Sequence, residues 1–569
     1  MSLAGLQSMG LLELLDVELA RALCRIVRKS SPELELAIAL TSRNVRSGHS
    51  CFPIGMSADE IWPGEAERPS DLPDAAQWRD LIAKSPLSKE GGPLVLDEAG
   101  RLYLRRYWQL ERDIARELAT RSSAPAVIAD ETPWLDSALQ RLFPQGPDSP
   151  QRGAASNALR HSVSLLCGGP GTGKTSTVAA IVALMIEGRL QQSKDAPRVM
   201  LLAPTGKSAA RLGEAVRKAK GRIDASEQVL AQIPEQATTV HRALGMQRDG
   251  LRFVRNADQP LEADLIVVDE ASMIDLGLMR QLLNATAAQA TLLIVGDPDQ
   301  LTSVEAGSVL RDLVKASAET WWSDRVTQLS KTYRYDEKQP LGRLIAAIRE
   351  GDRAKVEALL ELADADDVAW VPTRSLPGEL DRAAAHWATV LSTQDPEEHF
   401  ERRARYLMLS PFRRGKLGTR ALGASIMDRL AETGGGKPVV RPIIIEENSH
   451  ELRVYNGDFA MLVEGQPPMA TVQSEAEGFR EIAEARLPRY SDGFALSVHK
   501  AQGSEFDEVL VVLPEEDAPI LTRELLYTAV SRARRAVRLV GPKQVVAAAL
   551  ARRARRYSGL VDAIAKALD

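Results

Sequence analysis

Gly168-Gly-Pro-Gly-Thr-Gly-Lys-Thr175 stands between the apolar run Val163 to Cys167 and a helix-forming stretch, Ser176 to Ile186. Strand, glycine-rich turn and helix in that order give G-x-x-x-x-G-K-[ST] in its required setting. Gly168, Gly169, Gly171 and Gly173, with Pro170 and Thr172 among them, let backbone N–H groups converge on phosphate at a helix N-terminus. Lys174 is suited to reach the β- and γ-phosphates, and the Thr175 hydroxyl to help hold Mg²⁺. A bound nucleoside triphosphate follows, and the rest of the chain must show what its hydrolysis drives.

Composition sets the bounds around that loop. At 569 residues the chain has room for roughly three or four domains, each able to bury a core. Its 72 Lys+Arg against 77 Asp+Glu leave a net charge of −5, which suits a nucleic-acid partner as well as any other, since only one groove needs to be basic. Cys24, Cys51 and Cys167 form neither a metal spacing nor a disulfide framework, and none of the seven histidines stands in metal spacing. No run approaches the ~20 apolar residues of a membrane span, and the first residues lack the pattern of a secretory signal. A reducing, cytoplasmic setting without a membrane partner is expected.

In chain order, residues 1–120 read as a helical domain, with Leu11, Leu12, Leu15, Leu19 and Leu23 at helix spacing and an irregular connection over 45–52. Leu102 to Leu118 mixes charges with Tyr103, Tyr107, Trp108, Leu110 and Ile114, fitting either a helical core or a surface for a larger partner. Residues 121–150 are richer in Pro, Ser and Asp and read as a linker. From 151 short aliphatic runs alternate with helical stretches: Val163 to Cys167, Val199 to Ala203, Leu265 to Val268, Leu292 to Val295. A second set follows at Tyr406 to Leu409, Ala495 to Val498, Val509 to Val512 and Val537 to Val540. Such runs belong to parallel sheets covered on both faces, so two α/β domains, 151–350 and 351–569, are expected with a cleft between them. A β insertion over about 441–490 interrupts the second, signalled by Asn456-Gly457 between apolar runs; structural decoration and nucleic-acid contact both remain open for it.

The chemistry is expected at strand ends. Asp269 and Glu270 end the run 265–268, where ligands sit in open α/β sheets. Asp269 suits Mg²⁺ through water, and Glu270 suits the orienting and deprotonation of an attacking water. Gln300 follows the next strand and is placed to sense the γ-phosphate, although Asp297-Pro-Asp299 also reads as a plain turn. Arg334 and Arg532 are candidates for stabilising charge on the phosphates from the hinge and across the cleft. Gln151, just upstream of the phosphate loop, offers an amide for an adenine edge, or is a solvent-exposed helix-start residue. Candidates for backbone contact with nucleic acid lie in loops after successive strands: Thr205, Lys207, Thr239, His241, Arg413, His499, Lys500 and Gln502.

As an ordered set these segments resemble the motifs of superfamily-1 DNA helicases of the RecD group, the α subunits of exodeoxyribonuclease V. Gly168 to Thr175 matches the first motif, Ala203 to Arg211 the next, Asp269 and Glu270 the acid pair, and Gly296 to Gly307 the third. Thr332-Tyr-Arg334, His499 to Glu505 and Tyr527 to Arg534 match the remaining three, and Gln151 occupies the position of the adenine-recognising Gln. The resemblance covers 151–540 and touches the N-terminal segment at Leu102-Tyr-Leu-Arg-Arg-Tyr-Trp108. It implies an α/β fold: two RecA-like P-loop helicase domains, a helical N-terminal domain and a small β insertion. ATP and Mg²⁺ are the implied cofactors, with Thr175 and Asp269 toward the metal. Implied too are a heterotrimer with RecB-like and RecC-like subunits, the N-terminal domain docking on the latter, and 5′→3′ translocation on single-stranded DNA at duplex ends during recombinational repair. Ser208, Ala501 and Ser531 depart from the usual Ala, Ser and Thr; only Ala501 removes a hydroxyl suited to DNA contact. A stand-alone DNA or RNA helicase and a chiefly structural subunit are the alternatives.

Overall fold

The computed structural model describes residues 2–568 except 28–30, 66, 70, 124–132, 147, 193–194, 248–251, 334–338, 363–366, 394, 435–438, 450 and 475–477. The four aliphatic runs expected between 163 and 295 form the middle of a six-stranded sheet. Its spatial order is Ala237–Thr239, Val199–Ala203, Leu265–Val268, Thr291–Gly296, Val163–Gly168, Val326–Leu329, and every pair is parallel. Successive strand residues point to opposite faces. Leu165 and Cys167 therefore enter one core, beneath helices Leu276–Ala285 and Val309–Glu319, while Leu166 enters another, beneath helix Lys174–Gln191. That helix is buried from Thr177 to Ile186 because it lies between the sheet and helices Pro150–Arg160 and Gly206–Lys220.

A second parallel sheet runs Val368–Val371, Ala533–Val540, Phe506–Val512, Tyr406–Ser410, Ala495–Ser497. The insertion is an antiparallel sheet of Gly478–Ala483, Met469–Ser474, Phe459–Val463, Val440–Ile445 and Tyr490–Asp492. Its two central strands use both faces. Ile443, Ile445, Ala460 and Leu462 make its own core, whereas Ile444, Phe459 and Met461 enter the core of the second α/β unit. Period-two alternation thus fastens the insertion to the unit that carries it.

The N-terminal region is less uniformly helical than its leucine spacing suggests. Helices Leu14–Val27 and Pro32–Arg46 pack together, but Phe52–Pro53, Arg101–Leu104 and Leu94–Leu96 form an antiparallel sheet beside them. Leu11 and Leu12 are buried, whereas Leu15 faces solvent. Helix Arg105–Ser122 sends Ile114, Ala115 and Leu118 into the core of the first α/β unit. Within the stretch read as a linker, Pro133–Leu142 is a helix whose Ala138 and Leu139 enter the core on the sheet's other face.

The chain end crosses back. After helix Lys543–Ala551 of the second unit, residues 552–559 form a strap with alternating attachments. Ala554 N donates to Glu524 Oε2 of the second unit at 2.8 Å, and Ala554 O accepts from Arg311 Nη1 of the first at 2.9 Å. Tyr557 N donates to His49 Nδ1 at 3.0 Å, Tyr557 O accepts from Ser50 N at 2.9 Å, and Ser558 Oγ donates to the buried Glu111 at 2.9 Å. Helix Leu560–Ala565 then packs Leu560 and Ile564 into the first unit's core beside Ile114. Residues 552–565, expected within the second domain, join the two α/β units to the N-terminal region.

Candidate nucleotide cleft and nucleic-acid track

The phosphate loop leaves the fully buried strand Val163–Gly168 and enters helix Lys174–Gln191 through Gly173, whose φ of +85° is a left-handed value that glycine adopts without strain. No side chain caps this helix, so its first N–H groups face the loop. Lys174 Nζ curls over it, donating to Gly168 O at 2.7 Å and Gly169 O at 3.0 Å. Thr175, the next residue, is partly exposed at the same helix start.

Asp269 and Glu270 follow strand Leu265–Val268, one strand removed from the loop in the sheet. Burial and the Glu270 carboxylate push Asp269 up to about 6, while Lys174 pulls it down. Glu270 is held at φ 52°, ψ 38°, the left-handed region that side-chain-bearing residues rarely occupy. Asp269 Oδ1 accepts from Glu270 N at 2.9 Å, which fixes the pair. Gln300 is buried and donates through Nε2 to Asp297 Oδ2 at 3.0 Å; its Oε1 has no partner. Asp297-Pro-Asp299 is more than a turn, because Asp297 also accepts from the Tyr527 hydroxyl of the second unit at 3.0 Å. The same hydroxyl approaches the phosphate loop so closely that a Cβ on Gly169 would lie 2.8 Å from it.

Tyr527 and Tyr333 are the residues that motif reading passed over. Tyr333 N donates to Gly171 O at 2.7 Å, its ring lies against Gly173, and Lys331 Nζ stands 5.4 Å from the ring centroid. Gln151 Nε2 reaches the Tyr333 hydroxyl at 3.5 Å. Gln151 is buried rather than a solvent-exposed helix start, and Tyr333 is 55 % exposed. An exposed aromatic face and a buried amide beside a phosphate loop form a platform for a planar base. Arg334, next in the chain, lies outside the described residues. Arg532 is buried inside the second unit, its guanidinium donating to Thr528 O at 3.0 Å and Ser504 O at 3.3 Å. It is thus held by second-unit carbonyls, and Tyr527 from the same segment is what meets the loop.

The expected nucleic-acid residues divide into five groups. Thr205 and Thr239 cap helices Gly206–Lys220 and Val240–Ala243, accepting from Ser208 N and Arg242 N at 3.2 Å each, so their hydroxyls serve the backbone. Gln502 is buried and donates to Leu301 O of the first unit at 3.1 Å, a contact between units rather than a solvent-facing one. Arg413 and Lys500 converge on Glu446 of the insertion, with Lys500 Nζ at 2.8 Å. His499 and His241 are pushed below the usual imidazole range by burial. Lys207 Nζ is closed off from solvent and has no hydrogen-bond partner. No group of three His, Cys, Asp or Glu is arranged for a metal among the described residues; Mg²⁺ bound beside phosphate and water needs only one or two protein oxygen ligands, the type of donor that Thr175 and Asp269 carry.

Residues 8–103 match the family model "RecBCD enzyme subunit RecD, N-terminal domain", 151–306 an "AAA domain" and 492–540 a "UvrD-like helicase C-terminal domain". The RecBCD enzyme subunit RecD of Mycobacterium tuberculosis is 39% identical over 576 residues, covering 97% of this chain and 94% of the relative. The chain belongs to the RecD family. A RecD subunit of Mycolicibacterium smegmatis is 38% identical, with 97% of each chain covered. The ATP-dependent RecD2 DNA helicase of Deinococcus radiodurans is 29% identical, and the match spans 63% of that longer protein. The two α/β units are accordingly the motors of a RecD-type ATP-dependent helicase, and Tyr527 bridges them.

Proposed function

We propose that the chain is the RecD-type α subunit of an exodeoxyribonuclease V complex, an ATP-dependent DNA helicase moving 5′→3′ on single-stranded DNA at duplex ends. The observation that carries the reading is the contact of Tyr527, in the second motor, with Asp297 and the phosphate loop of the first. A nucleotide on Lys174 would alter that contact, so hydrolysis moves one motor against the other. Full-length similarity to RecBCD subunits supports RecB-like and RecC-like partners and a role in recombinational repair. A cytoplasmic place is part of the same proposal; no helix of the described residues is long and apolar enough to cross a membrane.

In this reading Thr175 and Asp269 hold Mg²⁺, which supplies charge neutralisation on the phosphates when bound. Glu270 orients and deprotonates the attacking water, Gln300 contacts the γ-phosphate, and Arg334 and Arg532 stabilise charge as the motors close. Arg532 must leave its carbonyl partners to do so. The base rests on Tyr333 with its edge on Gln151. Arg413, His241, His499, Lys500 and Lys207 track the strand between the loops they occupy. Unwinding of duplexes with a 5′ or a 3′ tail, by the chain alone and with partner subunits, tests the proposal. Activity on 5′ tails that partners raise supports it. A 3′ preference overturns the polarity, and full activity without partners favours a stand-alone helicase.

A further inference from the structure

Lys207 and Arg403 present buried donor groups that no hydrogen-bond partner meets. Lys207 Nζ and Arg403 Nη2 are each inaccessible to solvent and each lack a hydrogen-bond partner, although each residue as a whole is partly exposed. Lys207 stands in the first turn of helix Gly206–Lys220 in the first motor. Arg403 ends helix Pro396–Arg403 in the second, its guanidinium 3.7 Å from the Phe459 ring centroid and 5.3 Å from that of Phe506. The insertion covers both: a Cβ on Gly206 would lie 3.1 Å from Tyr455 Cδ2, and Phe459 belongs to the insertion strand that follows Asp458.

The charge at this three-way junction does not balance. Burial, followed by the positive charge of Arg403, lowers Lys207 to about 7; Asp458 opposes the shift, while Arg211 and Arg532 add to it. Arg211 is ion-paired with Glu505, and Arg532 is spent on backbone carbonyls. That leaves one carboxylate, Asp458, against the Lys207 and Arg403 pair. Buried like charges without a counter-ion are costly, and such an arrangement is completed by an anion.

The nucleotide does not supply that anion. Lys207 follows strand Val199–Ala203, which lies three positions along the sheet from the phosphate-loop strand Val163–Gly168. Three strand spacings are about 14 Å, and Lys174 already claims the triphosphate. The carboxyl end of a parallel strand is nonetheless where ligands gather. We infer that Lys207 and Arg403 together form a subsite for one phosphate of the translocated strand. The turn Tyr455 to Asp458 roofs it, and Asp458 is the carboxylate that the phosphate displaces. Arg403 would then clamp strand, second motor and insertion together, although no helicase motif marks it. The inference rests on the helicase reading.

Fluorescence anisotropy of a labelled oligothymidylate, titrated with the full chain at several salt concentrations, tests it. Arg403→Gln is expected to weaken binding about tenfold and to reduce the slope of log K against log salt by about 0.7, the single-strand value for one lost phosphate contact. Lys207→Gln should do the same, and the double variant should fall short of the product of the two, because both cations hold one phosphate. Arg402→Gln, on the same helix but paired with Glu398, should bind as the parent does. Parental affinity and slope in Arg403→Gln overturn the subsite; should that variant not fold, Lys207→Gln and its slope decide. Inorganic phosphate forms a second arm. If it displaces the oligonucleotide from neither chain, the strand assignment stands. If it binds the parent but not Arg403→Gln while both hold the oligonucleotide equally, the site takes free phosphate and the strand assignment fails. A parent that binds no oligonucleotide refutes the helicase reading instead.

Discussion

The Tyr527 hydroxyl donates to Asp297 Oδ2 at 3.0 Å, and the two residues belong to different motors. One oxygen atom of the second motor thereby touches both the phosphate loop, at Gly169, and the residue that holds Gln300. Nucleotide occupancy and inter-motor geometry share a single contact.

Tyr527→Phe removes that hydrogen bond and nothing else of size. A hydrogen bond to a charged acceptor is worth roughly 1.5–3 kcal/mol, so the DNA-stimulated kcat for ATP should fall about tenfold or more. Because Tyr527 touches the loop and not the base platform, KM for ATP should change by less than about threefold. Steady-state ATPase assays with and without oligonucleotide check this; an unchanged kcat would falsify the coupling role.

Tyr333→Ala should have the complementary signature. Base–aromatic stacking is worth about 1–3 kcal/mol by alanine substitution. KM for ATP should therefore rise roughly tenfold, with saturating kcat largely kept. Gln151→Ala should narrow the preference for ATP over other nucleoside triphosphates. Competition assays with GTP and CTP report on both variants, and an unaltered KM in Tyr333→Ala removes the platform.

Asp312 predicts an effect of pH on stability. It is buried in helix Val309–Glu319, and burial, reinforced by Glu111, pushes it up from 3.8 to about 7. Its folded form keeps the proton while the unfolded form releases it, so stability is highest at low pH for this group. Stability falls by ~1.4 kcal/mol per pH unit between about 4 and 7 and levels off above. Asp312→Asn removes this group's share of the slope and leaves the variant more stable than the parent above pH 7. Thermal melting across pH 4–8 measures it; parallel profiles for variant and parent would exclude the effect.

The insertion can be locked where it stands. A Cβ on Gly206 would lie 3.4 Å from Tyr455 Cβ, close to the ~3.8 Å of a disulfide, and Cys24, Cys51 and Cys167 are all buried. Gly206→Cys with Tyr455→Cys should crosslink on oxidation, block entry of DNA to Lys207 and stop unwinding until a reductant is added. Unwinding by the oxidised, crosslinked chain would show that the turn does not need to lift.

Strands buried on both faces were legible in the sequence, the edge strand Ala495–Ser497 among them, and the polar edge strands were not. Leu265–Val268 and Thr291–Gly296 are buried throughout and read as unbroken aliphatic runs. Ala237–Thr239 and Val326–Leu329 lie at the edges of the first sheet and carry mixed residues that no run betrays, whereas Val368-Ala-Trp-Val371, at an edge of the second, is a short apolar run that the reading passed over. Site residues divide in the same way. Lys174, Asp269 and Glu270 are set by local spacing, and each falls at the strand end or helix start expected of it. Tyr527 acts on Asp297 across 230 residues of chain, and Lys207 and Arg403 come from different motors, each lying against the insertion. Thr205 and Thr239 show the converse, since residue types suited to phosphate contact are equally suited to capping a helix.

The returning chain end also joins the motors a second time. The first motor passes into the second between Leu329 and Pro340, and the strap over 552–559 ties the second back to the first and to Glu111. Any turn of the second motor against the first must therefore carry the strap's contacts with Arg311, Ser50 and Glu111 along with it or break them.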